Sequence, residues 1–133
     1  MTLPILDVEL PYPPSTNHYW RQFRGRAIIS REGRLYRQRV HDILLAKIDR
    51  PADGPLTCTI ALRPPDRRRR DLDNTLKPML DALQHASVYE DDSQIKDLRV
   101  FWSGGPLPGG SCRVMLDIWR LDDALDTQDH DPA

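Results

Sequence analysis

At 133 residues, 39% of them hydrophobic and 29% charged, the chain is long enough to bury one core and too short for two domains. A net charge of −1 excludes a uniformly basic nucleic-acid coat, and no apolar run approaches membrane-spanning length. The N-terminus lacks a basic segment followed by an apolar one, so a soluble, cytoplasmic protein is expected.

The segment 5–10 begins as a strand, with Ile5, Val8 and Leu10 apolar, and stops at the prolines of PYPPS. Residues 16–30 mix aromatic and basic side chains and predict a loop leading into a short strand at 27–29. Tyr19, Trp20, Arg21, Phe23, Arg24 and Arg26 interleave rings with positive charge, as nucleic-acid surfaces do. A loop with its rings tucked into the core would leave the same pattern. Ser30 is placed to cap a helix over 31–48 with Tyr36, Val40, Ile43, Leu44 and Ile48 near one face, although Gly33 weakens its first turn.

After the ADGP turn, the segment 56–64 alternates: Leu56, Cys58, Ile60 and Leu62 point one way, Thr57, Thr59 and Arg63 the other. Cys58 and Cys112 lie in such runs without metal-ligand spacing and read as buried, reduced thiols. A helix over 72–85 carries an apolar stripe of Leu72, Leu76, Leu80 and Leu83, with Met79 as packing. Beyond the acidic EDDSQ turn, 95–103 and 111–120 predict two strands paired as an antiparallel hairpin across a glycine- and proline-rich connector. Apolar periodicity ends at Asp122, which predicts one domain over 1–121 and a disordered acidic tail over 122–133. The order β–(β)–α–β–α–β–β is that of an α+β domain, a small mixed β-sheet with two main helices.

The chemistry concentrates where Arg67, Arg68, Arg69 and Arg70 abut Asp71 and Asp73. Extended chain would set both carboxylates on one face, at a helix N-terminus whose dipole favours negative charge. Glu90, Asp91 and Asp92 offer a further acid if the chain folds back along the helix, as a strand beside the preceding one would allow. Hard carboxylate oxygens around an open site suit Mg2+ or Mn2+, which accept phosphate oxygens as further ligands and activate water. Lys77, four residues after Asp73, either pairs with that carboxylate or sets a cation on the phosphate, while the arginines hold the flanking backbone. A D-x-D alone is a weak signal and is better accounted for by a capping aspartate, an Asp73–Lys77 surface pair and a solvated arginine run. His18 and His85 stand unaccompanied and read as satisfied polar groups; Trp102 and Trp119 read as core or dimer surface.

The spaced pattern RRRRDLDN…K…DAL…DD.Q, with LPYPPSTNHYWR before it, resembles the signature of the RusA-type Holliday junction resolvases, or crossover junction endodeoxyribonucleases, over about residues 10–119. The resemblance implies a RusA-like fold and a Mg2+-dependent homodimer of phages and bacteria. It further implies nicking of two opposing strands of a four-way DNA junction, in recombination and repair. It places the catalytic, metal-ligating triad on Asp71, Asp73 and Asp92, with Asp91 the adjacent alternative to Asp92, and the family lysine on Lys77. Asn74 matches too and joins Arg67, Arg68, Arg69, Arg70, Arg21 and Arg24 as DNA-binding candidates. Pro78 departs from the family pattern and is expected to kink the helix unless it lies in the first turn. The alternative function is a non-catalytic DNA-binding module whose acids are structural. Paired nicks require two sites, so Val100, Trp102, Met115 and Trp119 are expected to supply an apolar dimer surface.

Overall fold

In the computed structural model, which describes residues 4–120, the chain runs β1 (Leu6–Leu10), α1 (Thr16–Tyr19), β2 (Trp20–Phe23), β3 (Arg26–Ile29) and α2 (Arg31–Leu44). It continues through β4 (Leu56–Arg63), α3 (Asp73–His85), a 3-10 turn (Asp92–Gln94), β5 (Ile95–Trp102) and β6 (Ser111–Ile118). The acidic segment from Asp122 lies outside the described residues. Among those residues no helix is long and apolar enough to cross a membrane.

The alternation of β4 makes it the spine. Leu56, Cys58, Ile60 and Leu62 are at most 1% exposed, and full burial of each large apolar side chain is worth about 1.5–3 kcal/mol. A mixed sheet forms around it in the order β1–β6–β4–β5, with β5 parallel to β4 and the other pairs antiparallel. This corrects the expected hairpin: β5 and β6 do not pair, because β4 lies between them. The strand best able to be covered takes the centre, whereas β5, with Leu98 and Phe101 exposed, takes an edge. The connector reaches past the end of β4, held where the Ser103 N–H donates to Leu62 O (2.8 Å) and the Leu107 N–H to Pro64 O (2.9 Å). Helix α3 is therefore the crossover between two parallel neighbours.

Inward residues of the sheet share one core with Tyr36, Val40 and Leu44 of α2 and Met79, Ala82 and Leu83 of α3. Two faces differ from expectation. In β1 the buried side is Leu6, Val8 and Leu10, leaving Ile5 47% exposed. In α3 the buried side is Thr75, Pro78, Met79, Ala82 and Leu83, so Leu72, Leu76 and Leu80 pack only at its margin. Cys58 and Cys112 are free and buried as expected, and burial pushes each thiol from 9.0 up to about 12.

Residues 16–30 are not a loop. They form a helical turn followed by an antiparallel β2–β3 hairpin outside the main sheet. Ser30 caps α2, its Oγ accepting from the Gly33 N–H at 3.0 Å, and the helix stops at Leu44, four residues before the expected end. Gly33 belongs in that first turn for a steric reason: a Cβ there would overlap the Tyr19 carbonyl oxygen and stand 2.7 Å from Ile29 Cγ1.

Candidate active site and nucleic-acid interface

The head of α3 carries the two carboxylates. Leu72 is in the right-handed helical region (φ −59°, ψ −41°), so the D-x-D is already a turn and not the extended chain expected from sequence. Its backbone is satisfied locally: the Asn74 N–H donates to Asp71 O (3.3 Å), and the Thr75 N–H and hydroxyl donate to Leu72 O (3.2 and 2.7 Å). Among the described residues no side chain caps the helix. Asp71 and Asp73 are both exposed, and among the described residues neither carboxylate has a hydrogen-bond or ion-pair partner. The capping aspartate and the Asp73–Lys77 pair of the bland reading are therefore both absent among those residues.

Pro78 lies beyond the first turn, in the buried face of α3. Lacking an N–H, it cannot bond the carbonyl four residues back, which belongs to Asn74. The Thr16 hydroxyl of α1 donates to that carbonyl at 3.0 Å. The proline thus couples the head of α3 to the aromatic–basic segment. Lys77, one residue earlier, lines a cleft of about 640 Å3 with Thr16, Asn17, Trp20, Arg21, Gln22 and Ala27.

One turn further, Asp81 accepts from Arg37 Nε and Nη2, both at 2.8 Å, and from the Tyr19 hydroxyl. Tyr19 is fully buried, and burial followed by the Asp81 contact keeps its phenol protonated. This cluster pins α1 to α2 and α3, and it removes Arg37 from the free basic surface. The two readings of the aromatic–basic segment are therefore divided between residues: Tyr19 is core, while Arg21, Phe23, Arg24 and Arg26 are exposed.

The arginine run is organised by a residue that sequence reasoning passed over. Asp66 accepts from Arg68 Nη2 (3.1 Å) and from both terminal nitrogens of Arg70 (2.5 and 3.0 Å). Hydrogen bonds from Arg70, then from the Arg68 backbone, hold its carboxyl well below the usual carboxylate range. Its spacing two and four residues before those arginines was the available signal. Arg67 and Arg69 have no ion-pair partner among the described residues. Arg68, Arg69, Arg70, Asp71 and Asn74 line a cleft of about 530 Å3 whose other wall is Tyr12, Ser15 and His18. His18 is not unaccompanied there, since its Nδ1 lies 2.8 Å from Ser15 Oγ.

The second acidic group is divided between two jobs. Asp91 caps the 3-10 turn, accepting from the Ser93 N–H at 3.2 Å while Gln94 Oε1 accepts from the Asp91 N–H at 3.1 Å. The Ser93 bond, then the contact with Asp92, hold Asp91 below its ordinary value. Asp92 is left exposed beside the last turns of α3, where its N–H donates to Gln84 Oε1 at 3.2 Å. Partial burial, then Asp91 and Asp81, raise its carboxyl above the ordinary value, and Lys77 opposes them. Among the described residues no three His, Cys, Asp or Glu side chains are gathered into a group able to hold a metal ion. The structure thus places Asp71 and Asp73 together at the head of α3 but does not close the three acids around one point. The donor chemistry still fits Mg2+, which binds through one or two carboxylates and keeps its other positions for water and phosphate.

Exposed carboxylates beside an arginine-lined cleft, on a small α+β scaffold, mark a phosphodiester-handling protein of the nuclease class. The family model described as endodeoxyribonuclease RusA matches residues 11–118. The crossover junction endodeoxyribonuclease RusA of Enterobacteria phage HK97 is 46% identical over 114 residues, spanning 85% of this chain and 92% of its own. The protein of that name from Shigella sonnei (strain Ss046) is 47% identical over 95 residues, 71% of this chain and 79% of its own. That of Enterobacteria phage 82 is 46% identical over 94 residues, 70% and 78% of the two chains. This chain belongs to the RusA endodeoxyribonuclease family.

Proposed function

We propose that this chain is a crossover junction endodeoxyribonuclease that resolves four-way DNA junctions by hydrolysing phosphodiester bonds in opposing strands, as a Mg2+-dependent homodimer. The observation that carries the reading is the pair Asp71 and Asp73, exposed and without partners among the described residues, directly following an arginine run that lines a cleft. Asp71, Asp73 and Asp92 are the proposed metal-holding carboxylates, with Asp92 preferred to Asp91 because Asp91 is already committed as a cap. Bound there, Mg2+ would polarise the phosphate and lower the pKa of the attacking water. Arg69 and Asn74 would hold the backbone on the cleft wall, and Lys77 would set its ammonium against charge developing on the phosphate.

Two opposing nicks need two such sites, which a two-fold homodimer supplies. Of the four apolar residues expected at its interface, Val100 and Trp102 pack against the core, Met115 lies on the other face of the sheet, paired with Asp7 and Thr59, and Trp119 follows β6, its N–H donating to Pro55 O at 3.0 Å. The edge of β5, unpaired among the described residues and with Leu98 and Phe101 exposed, is the better candidate. The test is cleavage of a synthetic four-way junction and of a linear duplex, each with Mg2+ or with EDTA. Junction-selective, Mg2+-dependent cutting is expected. Tight binding without cutting in Mg2+ or Mn2+ would instead identify a non-catalytic DNA-binding module.

A further inference from the structure

The β2–β3 hairpin is firm at its base and free at its tip. At the base, Ser30 donates its hydroxyl to the His18 carbonyl and its N–H to the Tyr19 carbonyl, the buried Tyr19 ring meets the Trp20 ring edge-on at 4.5 Å, and α2 approaches through Gly33. At the tip, Arg24 (φ 51°) and Gly25 (φ 75°) form a two-residue turn with both central residues left-handed, the geometry that continues strand twist tightly. Phe23 immediately precedes this turn and is 47% exposed. The guanidinium carbons of Arg21 and Arg24 lie 5.5 and 5.2 Å from its ring centroid, and Arg26 is its cross-strand partner.

A large ring held at the end of a two-stranded arm, away from the core and ringed by cations, is poorly explained by packing. The same arm walls the cleft that contains Lys77. We infer that the hairpin tip is a branch-point wedge, in which Phe23 stacks on a base that has left the DNA stack while Arg21, Arg24 and Arg26 hold the phosphates around it. Aromatic rings in a basic setting bind the faces of unstacked bases with little regard to sequence. Intact duplex hides those faces, whereas a point of strand exchange exposes them. The Phe23 ring therefore adds affinity for branched DNA alone, and structure selectivity falls to a residue outside the acidic site.

This inference rests on the proposed junction-cutting function, and the experiment separates the two. Binding to an immobile four-way junction carrying 2-aminopurine at the branch point, and to linear duplex, is measured without divalent metal for wild type, Phe23→Ala and Phe23→Trp. Wild type should prefer the junction and raise the emission of the branch-point base as it leaves the stack. Phe23→Ala should bind the junction about tenfold more weakly, lose the emission change and keep its duplex affinity. Phe23→Trp should restore both. If wild type prefers the junction and Phe23→Ala matches it in affinity and emission, the wedge is wrong while the functional reading stands. A wild type with no preference for the junction overturns both.

Discussion

The arginine run offers the sharpest quantitative test of the nucleic-acid interface. Asp66 engages Arg68 and Arg70, while Arg67 and Arg69 stay unpaired among the described residues, so the four arginines are not equivalent. Each phosphate contact contributes roughly 0.9 to the slope of log affinity against log salt, so replacing Arg67 and Arg69 with Ala should flatten that slope by about 1.8. Over a fourfold rise in salt, from about 50 to about 200 mM, the variant should lose about tenfold less affinity than the wild type. Asp66→Asn should act in the opposite sense, because it removes a carboxylate that competes with phosphate for two guanidinium groups. Up to about 1.8 of additional slope is then available. Fluorescence anisotropy of a labelled four-way junction, titrated in EDTA at several salt concentrations, reads both changes. An unchanged slope in the Arg67/Arg69 double variant would leave both guanidinium groups in bulk solvent and refute the assignment of Arg69 and its wall to DNA.

Thr16→Val should cost about 1 kcal/mol in urea unfolding by stripping the Asn74 carbonyl of its donor, and that cost should vanish in a Pro78→Ala background, where the helix supplies the N–H itself. Equal costs in both backgrounds would break the link between proline and threonine. Cys58 and Cys112, each with its thiol raised by burial to about 12, should resist thiol reagents at about pH 9, where an ordinary cysteine is largely ionised. Rapid labelling of the folded chain would contradict their burial. Mixed dimers of wild-type and Asp73→Asn chains should nick one strand of a junction and rarely resolve it. Sedimentation showing only monomer at micromolar concentration, with full resolution retained, would remove the dimer from the account.

What sequence revealed and what it hid follow from the range over which each signal acts. Strand β4 was legible because its alternation is local and strong, and Ser30 was legible as a cap because capping needs only three residues of context. The pairing of β5 and β6 was misread because alternation marks a strand without naming its neighbour, and adjacency in the chain favoured a hairpin. Gly33 looked like a weak point in a helix, yet its reason is a close approach to Tyr19, fourteen residues earlier. The functional segment divides similarly. The D-x-D and its arginines stood out by composition, but the use of Asp66 as their organiser, Asp91 as a cap and Arg37 as the partner of Asp81 depends on folded geometry.

The central claim is that Asp71 and Asp73, with Asp92, hold the metal that cuts a junction bound by other residues. The measurement that tests it most directly pairs a gel-shift assay with cleavage of the same four-way junction in Mg2+, for wild type and for Asp71→Asn, Asp73→Asn and Asp92→Asn. Each substitution removes one negative charge from a proposed metal ligand and also removes repulsion toward phosphate. All three variants should therefore bind the junction at least as tightly as wild type while cleavage falls to background. Cleavage at near the wild-type rate by any one of them would contradict the assignment of that carboxylate, and by Asp71→Asn or Asp73→Asn it would contradict the account as a whole.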